Sequence, residues 1–259
     1  MRILKFLAIA FTLYSRIPMP RFEWKEEDMA YSLAFFPLVG VVIGGGEFWL
    51  NGILPFAGLP AAVRILLTLA LPIIITGGIH MDGFMDVEDA LRSYAAREKK
   101  LEILKDPHIG AFAVISLVKW MLLYGAAVTA VLLHPKADGR VLAAFGLCFV
   151  TSRCCSGLTS LFLKKAKKDG MLYEETKSRS GFPLFCLILF LGISLGLLFW
   201  ANVILACAIL TVTAVWTVWY RYLSYKQFGG VTGDTAGYYL TILEILSVAV
   251  MAACLYCFG

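Results

Sequence analysis

Long apolar stretches alternate with short polar connections along almost the whole chain. A helix that crosses the hydrocarbon layer of a membrane needs roughly 20 mostly apolar residues. Stretches of about that length are residues 31 to 50, 64 to 80, 110 to 133, 141 to 163, 182 to 200, 203 to 220 and 238 to 258. The pattern predicts an all-α fold, a polytopic membrane helix bundle with about seven transmembrane helices.

Composition agrees with a chain whose solvent is the lipid bilayer. Hydrophobic residues make up 60% of the 259 residues and charged residues 16%, with a mean hydropathy of +0.79. The longest polar segment, residues 81 to 109, is too short to bury a core of its own. We therefore expect a single integral-membrane catalytic domain over residues 1 to 259. The seven cysteines lie in apolar stretches without metal-site spacing, which is typical of core residues.

The first fourteen residues combine an early charge with an apolar run, as a signal peptide does. No small-residue cleavage site follows them, and Pro18 and Pro20 instead interrupt the helix. We expect a short interfacial or re-entrant helix at this end of the sequence.

Lys and Arg are concentrated in alternate connections, which orients the bundle because cytoplasmic loops carry more of them. Segments 16 to 28, 81 to 109 and 164 to 179 hold three, five and six, whereas segments 51 to 63 and 134 to 140 hold none and two. The net charge of +5 thus reflects topology and not nucleic-acid binding. The prediction is a multi-pass protein of the cell (inner) membrane with its active site facing the cytoplasm.

Three aspartates follow the second apolar stretch. Asp82, Asp86 and Asp89 stand four and three residues apart, so on a continuing helix they share one face. Clustered carboxylates are the oxygen ligands that Mg²⁺ prefers. Because Asp82 and Asp89 would be about 10 Å apart along the axis, two ions would suit them better than one. An ordinary solvated acidic helix end is the alternative. His80 could ligate metal, move a proton, or be structural.

A second polar cluster lies on the same predicted face of the membrane. Its members are Gly229, Gly230, Thr232, Gly233 and Asp234. Glycines let backbone amides approach an anion closely, and Asp234 adds a fourth carboxylate. A plain glycine turn between two helices is equally consistent with this pattern.

Basic residues on that face suit anionic partners. Arg92 and Lys105 follow the aspartates and could bind phosphate oxygens, although the positive-inside rule alone also explains them. The lysine-rich segment 164 to 170 fits an anionic substrate or anionic lipid headgroups, and the sequence does not separate these interpretations.

Four charged residues lie inside the predicted spans, where charges are costly and are candidates for function. They are Glu47, Lys119, Arg153 and Glu244. Glu244 could reach toward the acidic site or form an ion pair with Arg153 inside the bundle.

Several separated motifs together resemble the adenosylcobinamide-GDP ribazoletransferase family, also called cobalamin synthase or cobalamin-5′-phosphate synthase. The motifs are Ser15-Arg16-Ile17-Pro18-Met19-Pro20, Phe35-Phe36-Pro37-Leu38-Val39-Gly40, the run from His80 to Asp89, Glu102-Ile103-Leu104-Lys105-Asp106, and the run from Phe228 to Thr235. The similarity covers nearly the whole chain, and the order and spacing of the motifs make it specific.

The resemblance implies a Mg²⁺-dependent reaction in the final nucleotide-loop assembly of cobalamin biosynthesis. Adenosylcobinamide-GDP and α-ribazole, or its 5′-phosphate, would give adenosylcobalamin, or its 5′-phosphate, and GMP. One of these substrates contains a pyrophosphate. Its negative charge suits a metal ion held by carboxylates. Apart from the resemblance, the composition indicates the lipid bilayer as a partner, and a homo-oligomer and contact with enzymes of the late corrinoid pathway are further hypotheses.

The resemblance also suggests roles for individual residues. The predicted metal ligands are Asp82, Asp86, Asp89 and Asp234. The predicted catalytic residues are His80, Asp89 and Lys105. The predicted substrate-binding residues are Arg92, Lys105, Gly229, Gly230, Thr232 and Gly233.

Two other classes of protein fit parts of the pattern. A CDP-alcohol-type membrane phosphotransferase also sets spaced aspartates at a helix end, but an alanine-arginine pair is expected after its first Asp-Gly. Here Asp82-Gly83 is followed by Phe84-Met85-Asp86 instead. A transporter would use the charges inside the spans, whereas the acidic residues of this chain lie at the membrane face.

The predicted orientation can be tested by labelling an Arg97→Cys variant in a background without the native cysteines. A membrane-impermeant thiol reagent should label this residue in inverted membrane vesicles and not in intact cells, because segment 81 to 109 is expected in the cytoplasm. Labelling from outside intact cells would reverse the orientation.

Overall fold

The computed structural model describes residues 2–20, 23, 25–53, 58–177 and 181–258. Parts of the predicted connections 51 to 63 and 164 to 179 therefore lie outside the described residues. Within the described part of the chain, regular structure is helical, with one isolated backbone bridge between Lys165 and Val231.

The helices follow one another with short connections. They are α1 (Arg2–Tyr14), α2 (Glu26–Ser32), α3 (Phe36–Ile53), α4 (Ala61–Thr76), α5 (Ile79–Arg92), α6 (Arg97–Ile103), α7 (Ala111–Leu132), α8 (Gly139–Phe162), α9 (Met171–Lys177), α10 (Gly181–Ala201), α11 (Val203–Phe228) and α12 (Gly233–Phe258). A 3₁₀ turn, Leu33–Phe35, joins α2 to α3.

Six helical segments are long and apolar enough to cross a membrane, and the bent pair α4 and α5 gives a seventh if it is counted as one span. The first segment, Asp28–Ile53, joins most of α2 to α3, and the other five are α7, α8, α10, α11 and α12. The expected polytopic helix bundle with about seven spans is confirmed.

The end of the second span differs from the sequence-based expectation. The predicted span 64 to 80 ends at Thr76, and its helix does not continue into the aspartates. Gly77 and Gly78 have φ angles of 66° and 82°, a left-handed backbone that glycine adopts without steric cost. The chain turns by 94° there. The aspartates consequently lie on the separate helix α5.

Helix α1 is too short to cross the bilayer, since 13 residues extend about 20 Å. Its ring of Phe6 stacks on Tyr31 at 4.6 Å, and Lys5 forms a 2.7 Å ion pair with Asp28. These contacts fix α1 beside the start of the first span. Tyr14, the last residue of α1, is thereby brought into the interior.

The core and the lipid-facing surface are both apolar, as expected for a bundle whose solvent is hydrocarbon. Phe145 and Phe149 of α8 are fully buried at its centre. Large apolar side chains such as Leu122, Phe185 and Val218 are exposed on α7, α10 and α11. Exposure of this kind on long helices is typical of contact with lipid tails.

Two of the four charged residues inside the spans form an ion pair within the bundle. A guanidinium nitrogen of Arg153 lies 2.6 Å from Oε1 of Glu244, and Ser152 donates to the same oxygen at 3.0 Å. Glu47 accepts a hydrogen bond from Asn51 at 3.2 Å. These contacts compensate part of the cost of burying charge.

Helices α3 and α8 pack backbone against backbone. A Cβ added to Gly146 would lie 2.7 Å from the carbonyl oxygen of Gly44, closer than real Cβ atoms come. Small residues that permit such approach are a common means of joining helices in membranes.

We expect Gly146→Ala to lower the free energy of unfolding by about 1–3 kcal/mol, because the added methyl group must push the two helices apart. Gly45→Ala is the matched control, since nothing lies within 4 Å of a Cβ there. Thermal unfolding of both variants in one detergent measures the difference. Equal midpoints would contradict the close contact.

Candidate active site at one membrane face

Helix α5 is amphipathic and carries the acidic cluster on its less buried side. Phe84 and Val87 are fully buried, whereas Asp82 is exposed and Asp86 and Asp89 are partly buried. Since α5 turns away from α4 and has five charged residues among 14, it lies outside the apolar segments. The three carboxylates therefore lie on one face, as predicted, but at the bundle's polar end.

Asp89 binds the beginning of α7. Its two carboxylate oxygens accept hydrogen bonds from the backbone amides of Gly110 at 2.6 Å and Ala113 at 2.8 Å. Amides at a helix start lack partners within the helix, so a carboxylate stabilises them. Asp89 thus has a structural contact in this conformation, and its predicted metal and catalytic roles stay predictions.

Arg92 is also held by neighbours on the side of α5 away from the cavity described below. It forms a 3.1 Å ion pair with Glu88 and donates to Ser116 at 3.1 Å. Glu88, in turn, accepts from Ser116 at 2.7 Å and from Tyr238 at 3.4 Å. This network joins α5 to α7 and α12, and the predicted contact of Arg92 with substrate remains untested.

Close packing of α5 on α12 brings Asp234 to the acidic cluster. A Cβ on Gly83 would lie 2.9 Å from the Cα of Asp234. Burial, and then the charges of Asp82, Asp234 and Asp89, raise the pKa of Asp86 to about 7. Four carboxylates from two distant parts of the sequence therefore act on one another.

The glycine loop between α11 and α12 is fastened to the segment after α8. Val231 donates to the carbonyl of Lys164 at 2.8 Å, and Ala166 donates back to Val231 at 3.0 Å. Gly230 lies directly on this backbone and has no room for a Cβ. The amides of Gly229 and Gly230 donate to carbonyls of α11 at 3.2 Å, so both glycines end α11 rather than offer amides to an anion here.

Thr232 forms the cap of α12. The amide of Thr235 donates to its hydroxyl at 3.2 Å, and the amide of Thr232 donates to the Thr235 hydroxyl at 2.8 Å. This reciprocal pairing is a capping arrangement. It leaves Gly233 and Asp234 in the first turn of α12, at the positive end of the helix dipole.

A cavity of about 430 Å³ opens beside these elements. The predicted site residues that line it are His80, Asp82, Lys105, Thr232, Gly233 and Asp234. Asp86, Asp89, Arg92, Gly229 and Gly230 do not line it. The structure thus brings residues of both clusters to one cavity. The other predicted site residues lie outside the cavity, where they stabilise the helices around it.

Lysines from two connections complete the polar part of the cavity. Lys105, Lys165 and Lys167 line it. Burial lowers the pKa of Lys165, and burial together with the charge of Lys105 lowers the pKa of Lys167. The lysine-rich segment 164 to 170 therefore faces the candidate site, a position that its composition alone did not distinguish from lipid contact.

His80 lies where the cavity meets the interior of the bundle. Its ring packs 5.6 Å from the ring of Phe36, and its carbonyl accepts from Thr241 at 3.3 Å. Nδ1 is buried and has no hydrogen-bond partner among the described residues. Burial, and then the charge of Arg153, lower the pKa of this imidazole to about 3, so its ring is neutral at physiological pH.

The donor set fits a hard divalent ion that keeps ligands from other sources. Among the described residues, no three His, Cys, Asp or Glu side chains are arranged to hold one ion. Asp82 and Asp234 both face the cavity. Mg²⁺ commonly binds one or two carboxylates together with waters and substrate phosphates, so this pair suits it.

Sequence reasoning missed one buried polar pair in the cavity wall. The hydroxyl of Tyr14 donates to Oε1 of Glu175 at 2.6 Å, and both side chains are buried. Burial raises the pKa of Glu175 to about 7, opposed by that hydrogen bond. A lone Glu in a short helix and a Tyr 161 positions earlier carry no local signal that would join them.

The fold and the cavity define a multi-pass membrane protein with an acidic and basic site at one polar face. The family model described as cobalamin-5-phosphate synthase matches residues 6–252. The chain belongs to this family, which confirms the resemblance and the enzyme class it implied.

Curated relatives carry a consistent name. A protein of Lachnoclostridium phytofermentans named adenosylcobinamide-GDP ribazoletransferase is 38% identical over 95% of this chain and 93% of its own length. Proteins of the same name from Clostridium perfringens and Pseudomonas savastanoi are 30% and 34% identical, over 95% and 91% of this chain and 97% and 91% of theirs. No solved structure matches. These results favour the family over a CDP-alcohol-type phosphotransferase or a transporter.

The raised pKa of Asp86 predicts a pH-dependent stability in protein freed of divalent ions by a chelator. The folded state favours the protonated carboxyl, so ionisation between pH 4 and the folded pKa of about 7 removes stability as pH rises. Asp86→Asn should therefore raise the thermal midpoint more at pH 8 than at pH 5. The same difference at both pH values would contradict the raised pKa of Asp86.

Proposed function

We propose that this chain joins adenosylcobinamide-GDP to α-ribazole, or to its 5′-phosphate, and releases GMP. The observation that carries the proposal is the meeting of Asp82 and Asp234 in one cavity with Lys105 and Lys167. The names of the relatives supply the substrates, and the cavity supplies both signs of charge that a pyrophosphate and its counter-ion require.

Asp82 and Asp234 are the residues proposed to hold Mg²⁺, with Asp86 behind them on α5. When bound, the ion would neutralise charge on the pyrophosphate oxygens. After burial, the charges of Asp82 and Asp234 raise the pKa of Asp86. A bound cation would offset this repulsion, which supports the proposal. Asp89 keeps a proposed role through its place beside Asp86, although both its oxygens bind α7.

The lysines are proposed to bind and orient the phosphates. Lys105 and Lys167 both line the cavity. Thr232 and Gly233, at the start of α12, add a hydroxyl and a helix N-terminus for phosphate oxygens. Gly229 and Gly230 contribute by fixing this loop, and Arg92 by holding α5.

In the proposed reaction, a ribose hydroxyl of the acceptor attacks the phosphorus bonded to the cobinamide side. A new phosphorus–oxygen bond forms, the bond to the bridging oxygen breaks, and GMP leaves with that oxygen. The hydroxyl proton passes to a base, for which His80 is our candidate because this residue lines the cavity and its Nδ1 has no hydrogen-bond partner among the described residues.

The cavity is proposed to face the cytoplasm of a cell with this chain in its inner membrane. The support is the excess of Lys and Arg in the connections that line it. Soluble nucleotide substrates would reach the site from that side. Assembly into a homo-oligomer or with enzymes of the late corrinoid pathway is a further proposal.

Asp82→Asn should lower GMP formation from adenosylcobinamide-GDP and α-ribazole by at least about 100-fold at saturating Mg²⁺, because a site carboxylate is lost. Purified protein in detergent, with product measured by chromatography, provides the test. Glu98→Gln is the control, since this exposed residue of α6 lies outside the cavity wall.

Two outcomes would oppose the proposal. Folded wild-type protein that forms no GMP with Mg²⁺ present would exclude the reaction. Full turnover by Asp82→Asn would instead keep the reaction and remove this carboxylate from it.

A further inference from the structure

The cavity has a second wall that differs in chemistry from the aspartates and lysines. It is built by α1, the start of the first span and α9. Tyr14 and Phe36 lie with ring centroids 4.3 Å apart, and Leu33 and Leu172 add aliphatic surface. The carboxyl of Glu175 lies among them. This wall is called the aromatic wall below.

Glu175 is a buried carboxyl without a cationic partner. It is 2% exposed and accepts the hydroxyl of Tyr14 through Oε1 at 2.6 Å. Within the described part of the chain, no Lys, Arg or His forms an ion pair with it. A buried carboxyl costs free energy unless its second oxygen also finds a partner. Glu175 lines the cavity, so a ligand there can supply that partner.

The aspartates of the acidic cluster do not influence the carboxyl of Glu175. Three aspartates contribute to the raised pKa of Asp86, whereas burial alone raises that of Glu175 and the hydrogen bond from Tyr14 opposes it. Glu175 therefore lies apart from the carboxylates proposed to hold the ion. With its pKa raised to about 7, its carboxyl carries a proton in much of the population at neutral pH and can donate it.

An aromatic and aliphatic wall with one carboxyl that can donate a hydrogen bond suits a heterocycle with one ring acceptor. The base of a ribazole-type nucleoside has this form, because one ring nitrogen bears the sugar and the other keeps its lone pair. Phosphates are anionic and belong with the lysines.

We propose that Glu175, oriented by Tyr14, recognises the acceptor nucleoside by a hydrogen bond between its carboxyl and the free ring nitrogen of the base. The heterocycle lies against the aromatic wall, which leaves its ribose toward Asp82 and Asp234. This inference rests on the proposed function. It assigns Glu175 to substrate specificity and not to the chemical step.

The test compares α-ribazole with an analogue in which the free ring nitrogen is replaced by a CH group. Wild-type protein should use the analogue with a kcat/KM about tenfold lower, as the loss of one buried hydrogen bond predicts. In Glu175→Leu the two acceptors should be used within about twofold of each other, because the partner of the nitrogen is gone. Glu175→Gln keeps an N–H donor and should restore the preference.

Glu174→Leu is the matched control on the same helix, since Glu174 lies outside the cavity wall and pairs with Lys177 at 3.5 Å. It should keep the wild-type ratio. A purely structural role of Glu175 would lower turnover of both acceptors equally and leave their ratio unchanged. An unchanged ratio in Glu175→Leu would overturn the proposal. Equal use of the two acceptors by wild-type protein would overturn it as well.

If Glu175→Leu does not fold, Tyr14→Phe decides the matter. Loss of the hydroxyl frees the orientation of the carboxyl, so the preference should fall toward one, and an unchanged ratio would overturn the proposal. GMP formation from α-ribazole by the wild type separates the two claims. Its absence contradicts the proposed function, whereas its presence with an unchanged ratio contradicts only the role of Glu175.

Discussion

Two glycines allow helix α5 to cross close to the start of α12. Gly83 faces the backbone of Asp234, and a Cβ on Gly237 would lie 3.1 Å from the carbonyl oxygen of His80. Larger residues at either position would separate the helices. Because Asp82 and Asp234 belong to these two helices, the composition of the candidate site depends on this contact.

Other features of the polar end hold that crossing in place. The left-handed backbone at Gly77 and Gly78 turns α5 out of the line of α4. Asp89 fixes the far part of α5 to the amides of α7. The bridge between Lys165 and Val231 then joins the lysine segment to the glycine loop. Several polar residues of the motifs thus stabilise the scaffold, and others face the cavity.

The sequence was informative about the spans because apolar length alone determines which helices can cross a bilayer. It also predicted that Asp82, Asp86 and Asp89 share a face, since that follows from local helix geometry. The sharp turn after Thr76 was not predicted, although a glycine pair is a local signal for it. Close approach of α5 to α12 depends on tertiary packing, for which Gly83 gave no distinctive pattern.

Contacts in the cavity wall between distant parts of the chain were the hardest to predict from the sequence. Tyr14 and Glu175 have no spacing or motif that joins them, and only the docking of α1 beside the first span brings them together. Gly230 illustrates the opposite case. It was recognised as important, but its contact with the backbone of segment 164 to 166 gives it a packing role.

The central claim is that Asp82 and Asp234 share one divalent ion at the crossing of α5 and α12. Electron paramagnetic resonance of Mn²⁺ with the purified full chain and GDP as a pyrophosphate probe tests it directly. Each single change, Asp82→Asn or Asp234→Asn, should weaken Mn²⁺ binding at least about tenfold, and the double variant should bind little more weakly than either, since residues that share a ligand are not additive. Unchanged binding in the single variants, or fully additive losses in the double variant, would contradict the account.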